Sequence, residues 1–368
     1  MKSQRRPFTL FAALTVVAAA LTIVISCTGD RTPADPPAER IQVDGSSTVS
    51  AITSEMSTAF AEYRQATDQE AAPVTVGISG TGGGFEKFCV ENGTDISDAS
   101  RAIKTEEQEQ CAAAGVEFME IRVAIDALTV AVNRESELEE ISFAQLQEIW
   151  RSDSPIRTWQ DLDTNLPDDP IEFFRPGDDS GTFDYFAEAV LEYNDQEYTV
   201  RQTDDTNRVT PSEDDNTLVE GIESNSSAIG FFGFAYYKNN SDRVQSLKIA
   251  QEAGDTAYAP SEENVNAGNY LLARPLFIYV NQAAYESRPE IRDFVAFYLA
   301  LLMVDAGGDP LDVSVSSAIE PSIEAIVDFL ADDSESKAAQ LVREGEFLST
   351  IGYVSKPVAE YATELGNL

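Results

Sequence analysis

The chain has 368 residues, with 64 Asp and Glu against 25 Lys and Arg, and a formal net charge of −39 at pH 7. So large a negative charge argues against nucleic acid as a partner, because binding to its phosphates requires basic surfaces. The sequence contains no histidine, which excludes a Ser-His-Asp nucleophile and every histidine-ligated metal site. The acidic composition is compatible with a saline habitat.

Residues 1–26 have the pattern of an export signal. Three basic residues precede an almost unbroken apolar run from Phe8 to Ile25, which is typical of a signal peptide that is removed from the mature protein. The run ends in the letters VISC, which resemble the lipobox that is cut before a lipid-carrying cysteine. We therefore expect Cys27 to be the lipidated first residue. The alternative is a single membrane anchor, since the apolar length also permits a span.

A short polar segment follows the predicted leader. Residues 27–39 include Pro33, Pro36 and Pro37, and this composition favours a solvated tether. Folding is expected to begin near Arg40. The remaining chain is too long for one compact core and predicts two lobes.

Two further cysteines, Cys89 and Cys111, stand 22 residues apart. In an oxidising compartment such a pair favours a disulfide, although spacing alone does not supply its geometry. Two free thiols are the alternative.

Hydrophobic periodicity predicts strands that alternate with helices. The predicted strands are 41–43, 74–78, 121–123, 128–132, 171–174, 229–232 and 276–280. The predicted helices are 49–63, 85–90, 105–114, 143–150, 182–191, 288–303, 321–331 and 336–349. This order predicts an α/β protein with parallel sheets, in which ligands bind at the carboxyl ends of the strands.

Three segments at predicted strand-to-helix turns share one composition, namely 44–48 (DGSST), 79–84 (SGTGGG) and 179–182 (DSGT). Each places hydroxyls and glycines directly before a helical pattern. The first N–H groups of a helix lack internal partners and carry partial positive charge, so such turns bind anions. Each segment alone is more typical of an ordinary helix cap. The three together predict a receptor for a tetrahedral oxyanion.

Seven segments resemble the Pst-type substrate-binding proteins of phosphate ABC transporters. They are VDGSSTVSAI, GISGTGGGFEKFC, TDISDASRAIK, FFRPGDDSGTFDYF, SEDDNTLVEGI, IGFFGFAYY and ARPLFIYV, in order from about residue 41 to 300. The resemblance implies a type II periplasmic-binding-protein fold, in which two α/β lobes joined by a two-strand hinge close over phosphate. We expect lobe I to comprise residues 40–130 and 272–368, and lobe II residues 131–271.

The resemblance also implies which residues bind phosphate. They are Ser47, Thr48, the Val49 N–H, Thr81, Asp98, Ser180, Gly181 and Thr182. The family's arginine usually stands four residues before the loop serine, whereas Arg175 stands five residues before Ser180. Either Arg175 or its nearest substitute, Arg101, is expected to supply the guanidinium.

Asp98 carries the predicted specificity. A carboxylate in an anion site repels the ligand unless it accepts a hydrogen bond from a ligand proton. The hydrogen phosphates carry such a proton at neutral pH and sulfate does not. We expect discrimination on the order of 10³-fold or more. Without the resemblance, Asp98 is more typical of a helix cap.

The leading hypothesis is a lipid-anchored, extracytoplasmic phosphate receptor that delivers its ligand to the permease of an ABC transporter. It needs no cofactor or metal and catalyses no reaction. A receptor for another oxyanion, such as sulfate or molybdate, is the first alternative, and Asp98 argues against it. A phosphate-ester hydrolase is the second alternative, for which the sequence offers no nucleophile and base pair.

Overall fold

A computed structural model describes residues 40–178, 180–191, 198–203, 208–332 and 336–368. The predicted signal peptide, the lipidation residue Cys27, the tether and Asp179 lie outside the described residues. Within the described ranges, no helix is both long enough and apolar enough to cross a membrane.

The described elements alternate for much of the chain. The strands are β1 (Ile41–Gly45), β2 (Val74–Ile78), β3 (Ile96–Ala99), β4 (Phe118–Val132), β5 (Glu140–Ser142), β6 (Glu172–Pro176), β7 (Val209–Ser212), β8 (Ala228–Gly233), β9 (Gln245–Ser246), β10 (Lys248–Ala250) and β11 (Ala273–Asn281). The helices of the first half are α1 (Ser47–Ala66), α2 (Gly80–Phe88), α3 (Thr105–Ala114), α4 (Phe143–Trp150), α5 (Trp159–Leu162) and α6 (Gly181–Phe186). The later helices are α7 (Asp215–Ser224), α8 (Phe234–Asn239), α9 (Glu262–Asn266), α10 (Gln282–Ser287), α11 (Pro289–Asp305), α12 (Glu320–Ala331), α13 (Lys337–Glu344), α14 (Phe347–Thr350) and α15 (Val358–Gly366).

Helix α1 shows how the sequence specifies these elements. The Ser46 hydroxyl caps its first turn by accepting a hydrogen bond from the Val49 N–H at 3.5 Å. Ile52, Met56 and Phe60 recur at intervals of four and are fully buried, which is the spacing of one helix face. The helix therefore lies against the core with its amino end at the carboxyl edge of the sheet.

The main sheet is mixed and has the strand order β2-β1-β3-β11-β4-β8-β6-β7. Strands β1, β2 and β3 are parallel, and so are β6, β7 and β8. The two long central strands run antiparallel to their neighbours: β4 pairs with β11 along its first part and with β8 along residues 128–132. The expectation of wholly parallel sheets was therefore wrong for the centre, where β4 and β11 connect two parallel halves.

Two large apolar clusters share the residues of this central pair. One draws its buried residues from 41–124 and 276–365. The other draws them from 125–272 together with Val354. The change from one cluster to the other falls within β4 and near the start of β11, so these two strands run through both cores.

Several predicted elements differ from the observed ones. The predicted strands at 121–123 and 128–132 are parts of the single strand β4. Helix α2 begins at Gly80 and so includes the glycines that were expected to precede it. The predicted helix at 336–349 is interrupted at Gly345, whose φ of 68° ends α13 in the left-handed conformation. The helix predicted at 182–191 becomes a π-helix from Ala187 to Leu191.

The predicted disulfide between Cys89 and Cys111 is present, with the two Cα atoms 4.1 Å apart. It joins the end of α2 to α3 inside a small apolar cluster that includes Phe85 and Phe88. The bond therefore fixes the helix that follows the second glycine-rich segment.

Candidate functional site

The first candidate loop is the turn from β1 into α1. The Ser46 N–H donates to the Asp98 carbonyl at 2.9 Å, which fixes the turn against β3. The Thr48 hydroxyl accepts a hydrogen bond from Arg274 at 3.2 Å. The amino end of a 20-residue helix therefore opens beside Thr48, with its first N–H groups unpaired within the helix.

The second loop is the turn from β2 into α2. The Thr81 hydroxyl accepts a hydrogen bond from the Ser100 N–H at 3.1 Å and lies 3.1 Å from the Ser100 hydroxyl. A Cβ on Gly84 would lie 2.6 Å from the Gly45 Cα. Only glycine lets α2 approach β1 this closely, so the amino ends of α1 and α2 are neighbours.

The third loop leads from β6 into α6. The Ser180 hydroxyl accepts a hydrogen bond from the Thr182 N–H at 3.2 Å and so caps the short helix. A Cβ on Gly181 would lie 3.2 Å from the Thr48 hydroxyl. All three predicted loops occupy strand-to-helix turns, and the third reaches the first.

Two cavities meet at Thr48. A cavity of about 240 Å³ is lined by Ser47, Thr48, Thr81, Arg101 and Arg274, together with Ser46, Gly80, Gly82, Ser100, Asp184 and Glu188. A cavity of about 580 Å³ is lined by Thr48, Gly181 and Thr182, together with Asp126, Asp215, Gly233, Tyr236, Asn239 and residues 349–353. The structure thus brings five of the nine predicted ligand residues and the substitute arginine Arg101 to the cavity walls. The other four, Val49, Asp98, Arg175 and Ser180, line neither cavity.

Asp98 lies in β3 with its side chain fully buried beneath α1. One carboxylate oxygen accepts a hydrogen bond from the Thr53 hydroxyl at 3.0 Å, and the other has no hydrogen-bond partner among the described residues. Burial raises the pKa of Asp98 to about 8, against the opposing effect of the Thr53 hydrogen bond and with a further increase from the charge of Asp44. The protonated form is therefore favoured at neutral pH in the ligand-free protein.

The two arginines singled out from the sequence are both committed to other partners. Arg175 is buried, donates to the Pro176 carbonyl and Gln202, and forms an ion pair with Asp178 at 2.9 Å. It supports the third loop from inside. Arg101 lines the smaller cavity but donates both terminal nitrogens to the Glu107 carboxylate, at 2.8 and 2.7 Å.

Sequence reasoning missed several residues at the cavities, among them Arg274, Asp126 and Tyr353. Arg274 on β11 and Asp126 on β4 are paired across the central strands, with the Arg274 Nε donating to the carboxylate at 3.2 Å. Charged residues in apolar strands were the available signal. Tyr353 donates to the Thr48 carbonyl at 2.7 Å, and no sequence pattern marked this contact. The carboxyl-terminal part of the chain therefore lines the cleft.

The charges on the smaller cavity wall balance, with Arg101 and Arg274 facing Asp184 and Glu188. Burial raises the pKa of Asp184, and Arg274 opposes this. Among the residues that the structure describes, no group of three or more His, Cys, Asp or Glu side chains is arranged to hold a metal ion. The chemistry that this arrangement offers is hydrogen bonding from helix ends, hydroxyls and guanidinium groups to an anion.

Comparisons with known proteins identify the family of the chain. A family model described as a PBP superfamily domain matches residues 31–300. Protein SphX of Synechococcus elongatus is 41% identical over 263 residues, which cover 70% of this chain and 73% of that protein. The phosphate-binding protein PstS of Staphylococcus saprophyticus is 33% identical over 260 residues, which cover 70% of this chain and 75% of that protein.

Two solved structures extend the comparison to the fold. A possible phosphate binding protein from Planctomyces limnophilus superposes with a TM-score of 0.67 at 30% identity, over 89% of this chain and 96% of that one. PstS from Borrelia burgdorferi, at 21% identity and a TM-score of 0.53 over 78% of this chain and 97% of that one, has a similar fold. The predicted fold class is confirmed.

Proposed function

The chain belongs to the PBP superfamily and, within it, to the phosphate-binding proteins of the PstS type, and on that premise we propose that it is an extracytoplasmic receptor for inorganic phosphate. It binds the anion in the cleft and delivers it to the permease of an ABC transporter. It acts by binding and release and catalyses no reaction.

The observation that carries this proposal is the convergence of three helix amino ends around Thr48. Helices α1 and α2 approach from one parallel half of the sheet, and α6 approaches from the other. Their N–H groups and hydroxyls are neutral donors that a tetrahedral oxyanion can share. Such a site binds an anion despite the strongly acidic composition of the chain.

The proposed ligand set follows from these turns. Ser47, Thr48 and the Val49 N–H bind from α1, and Thr81 binds from α2. Ser180, Gly181 and Thr182 bind from α6. We assign the ligands from α1 and α2 to lobe I, which comprises residues 40–130 and 272–368. The ligands from α6 belong to lobe II, residues 131–271. An anion held by both groups stabilises the closed form through contacts that the open form lacks.

Asp98 is proposed to detect the proton of the bound phosphate. Its second carboxylate oxygen is buried and has no hydrogen-bond partner in the described part of the chain, and a ligand P–O–H group would supply that hydrogen bond. Since its pKa is raised to about 8, its charge is complete only above that pH. We therefore expect discrimination against sulfate to widen as the pH rises through 8, and Asp98→Asn to remove this widening.

The predicted attachment to the membrane belongs to the same proposal. Cleavage before Cys27 and lipidation of that cysteine would leave residues 27–39 as a tether between the membrane and the folded chain. Mass spectrometry of the protein isolated from membranes tests this: a diacylated amino-terminal cysteine supports lipid anchoring, and an intact leader contradicts it.

Ser180→Ala tests the site with a small change. The substitution removes the hydroxyl that caps α6 and that we assign to phosphate, so affinity should fall about tenfold in a calorimetric titration. Ser224→Ala is the matched control, because the Ser224 hydroxyl bonds to the Gly221 carbonyl at the exposed end of α7. Unchanged affinity in Ser180→Ala would remove the third loop from the site. Turnover of a chromogenic phosphate ester would favour the hydrolase alternative instead.

A further inference from the structure

Arg274 lines the smaller cavity and donates hydrogen bonds to Thr48 and Asp126, which line the larger one. It lies on β11 directly opposite Asp126 of β4, and only 12% of its side chain is exposed. Its guanidinium stacks on the Tyr185 ring, with 4.0 Å between the guanidinium carbon and the ring centroid. The side chain is therefore held in one orientation by contacts from both central strands and from α6.

The hydrogen bonds of Arg274 show how much of the guanidinium is committed. The Nε donates to Asp126 at 3.2 Å, one terminal nitrogen donates to the Thr48 hydroxyl at 3.2 Å, and the other donates to Glu188 at 2.9 Å. An arginine has five N–H groups in a planar fork. The fork thus retains donor capacity toward the smaller cavity, which Arg274 lines with Thr48 and Thr81.

The partners on the two sides of the guanidinium differ in exposure. Asp126 is buried, with 6% of its side chain exposed, whereas 53% of the Glu188 side chain is exposed. An ion pair with a buried, fixed partner is retained, whereas a pair with an exposed, flexible partner contributes little free energy. Glu188 is therefore the partner that an entering anion can replace.

The other two candidate arginines are less suitable. Arg175 is buried, and its two terminal nitrogens donate to the Pro176 carbonyl and to Gln202. Arg101 reaches the smaller cavity but is neutralised by a two-nitrogen contact with Glu107. Arg274 alone among these three joins a predicted phosphate ligand, Thr48, by a hydrogen bond.

We propose that Arg274 is the arginine that binds the phosphate, and that the Glu188 carboxylate occupies its guanidinium until the anion replaces it. This inference rests on the proposed function and adds to it the charged contact that neither Arg175 nor Arg101 supplies. Glu188 belongs to the segment that follows α6. When the anion takes its place on the guanidinium, this segment loses its hydrogen bond to Arg274.

The test is a calorimetric titration of inorganic phosphate into the purified protein and its variants. Arg274→Gln should weaken binding 10- to 100-fold, because it removes a charge-assisted contact, and Arg274→Lys should lie between it and the parent protein. Glu188→Gln should strengthen binding several-fold by removing the internal competitor. That gain should disappear in the Arg274→Gln/Glu188→Gln double variant, since the two residues act on one contact.

The control is Arg243→Gln. Arg243 lines neither cavity, and the substitution removes its surface ion pair with Glu223. Its affinity should equal that of the parent. If the parent binds no phosphate, the proposed function fails and this inference fails with it. If the parent binds phosphate but Arg274→Gln binds it equally well, or Glu188→Gln shows no gain, the inference alone is overturned. Should Arg274→Gln not fold, Glu188→Gln and Arg274→Lys decide the question.

Discussion

Asp98→Asn should change how the stability of the ligand-free protein depends on pH. Burial raises the pKa of Asp98 from its ordinary 3.8 to about 8. Between these values the folded protein retains the proton and the unfolded chain does not. The stabilisation associated with the proton is therefore complete below pH 4 and is lost progressively as the pH rises through the folded pKa.

The size of this effect follows from proton linkage. Because only the folded state holds this proton, each rise of one pH unit in this range lowers the free energy of unfolding by about 1.4 kcal/mol, and the full shift sets an upper limit on the order of 6 kcal/mol. The asparagine variant is neutral at every pH and retains an oxygen that accepts from the Thr53 hydroxyl. Its stability should fall less steeply with pH than that of the parent.

Urea unfolding of the phosphate-free protein between about pH 5 and pH 7 measures the two slopes. The parent should lose about 1.4 kcal/mol more per pH unit than Asp98→Asn. Glu109→Gln is the control, because Glu109 is an exposed residue of α3, and its slope should match that of the parent. Parallel slopes in the parent and Asp98→Asn would refute the assignment of a buried, protonated carboxyl at this position.

Three further predictions concern the framework of the site. Replacing Cys89 and Cys111 by serine should lower the free energy of unfolding by about 3 kcal/mol, as measured by urea unfolding, since the bond closes a loop of this length; a change below 1 kcal/mol would contradict this. Gly84→Ala should lower the thermal midpoint by several degrees, because its Cβ would meet the backbone of β1 at 2.6 Å, and an unchanged midpoint would show that α2 can shift. Tyr353→Phe should cost about 1 kcal/mol of stability and weaken phosphate binding less than tenfold, because it removes the bond to the Thr48 carbonyl; equal stability and affinity would deny that contact a role.

The local parts of the fold could be predicted from the sequence. Helix α1 and strand β2 have the apolar spacing of their class and were placed within three residues of their observed limits. The continuity of β4 could not be predicted, since Ala124, Asp126 and Ala127 interrupt its β-branched residues. Pairing with β11 extends the strand across this interruption, and pairing between distant segments leaves no trace in local periodicity.

The local parts of the site could also be predicted from the sequence, whereas contacts between distant segments could not. The three turns could be found because glycine and hydroxyl residues before a helix have a direct physical meaning. Arg274 was missed because its partners Asp126, Thr48 and Glu188 come from three separate segments. The burial of Asp98 beneath α1 likewise depends on how β3 packs, so its raised pKa could not be inferred from composition.

The most direct test of the central claim is a calorimetric titration of phosphate into the purified protein after unfolding and refolding have removed any bound ligand. The account predicts tight binding at one site per chain and, above pH 8 where Asp98 is charged, no displacement by an excess of sulfate. Absence of phosphate binding, or displacement by equimolar sulfate, would contradict it and would direct attention to other oxyanions.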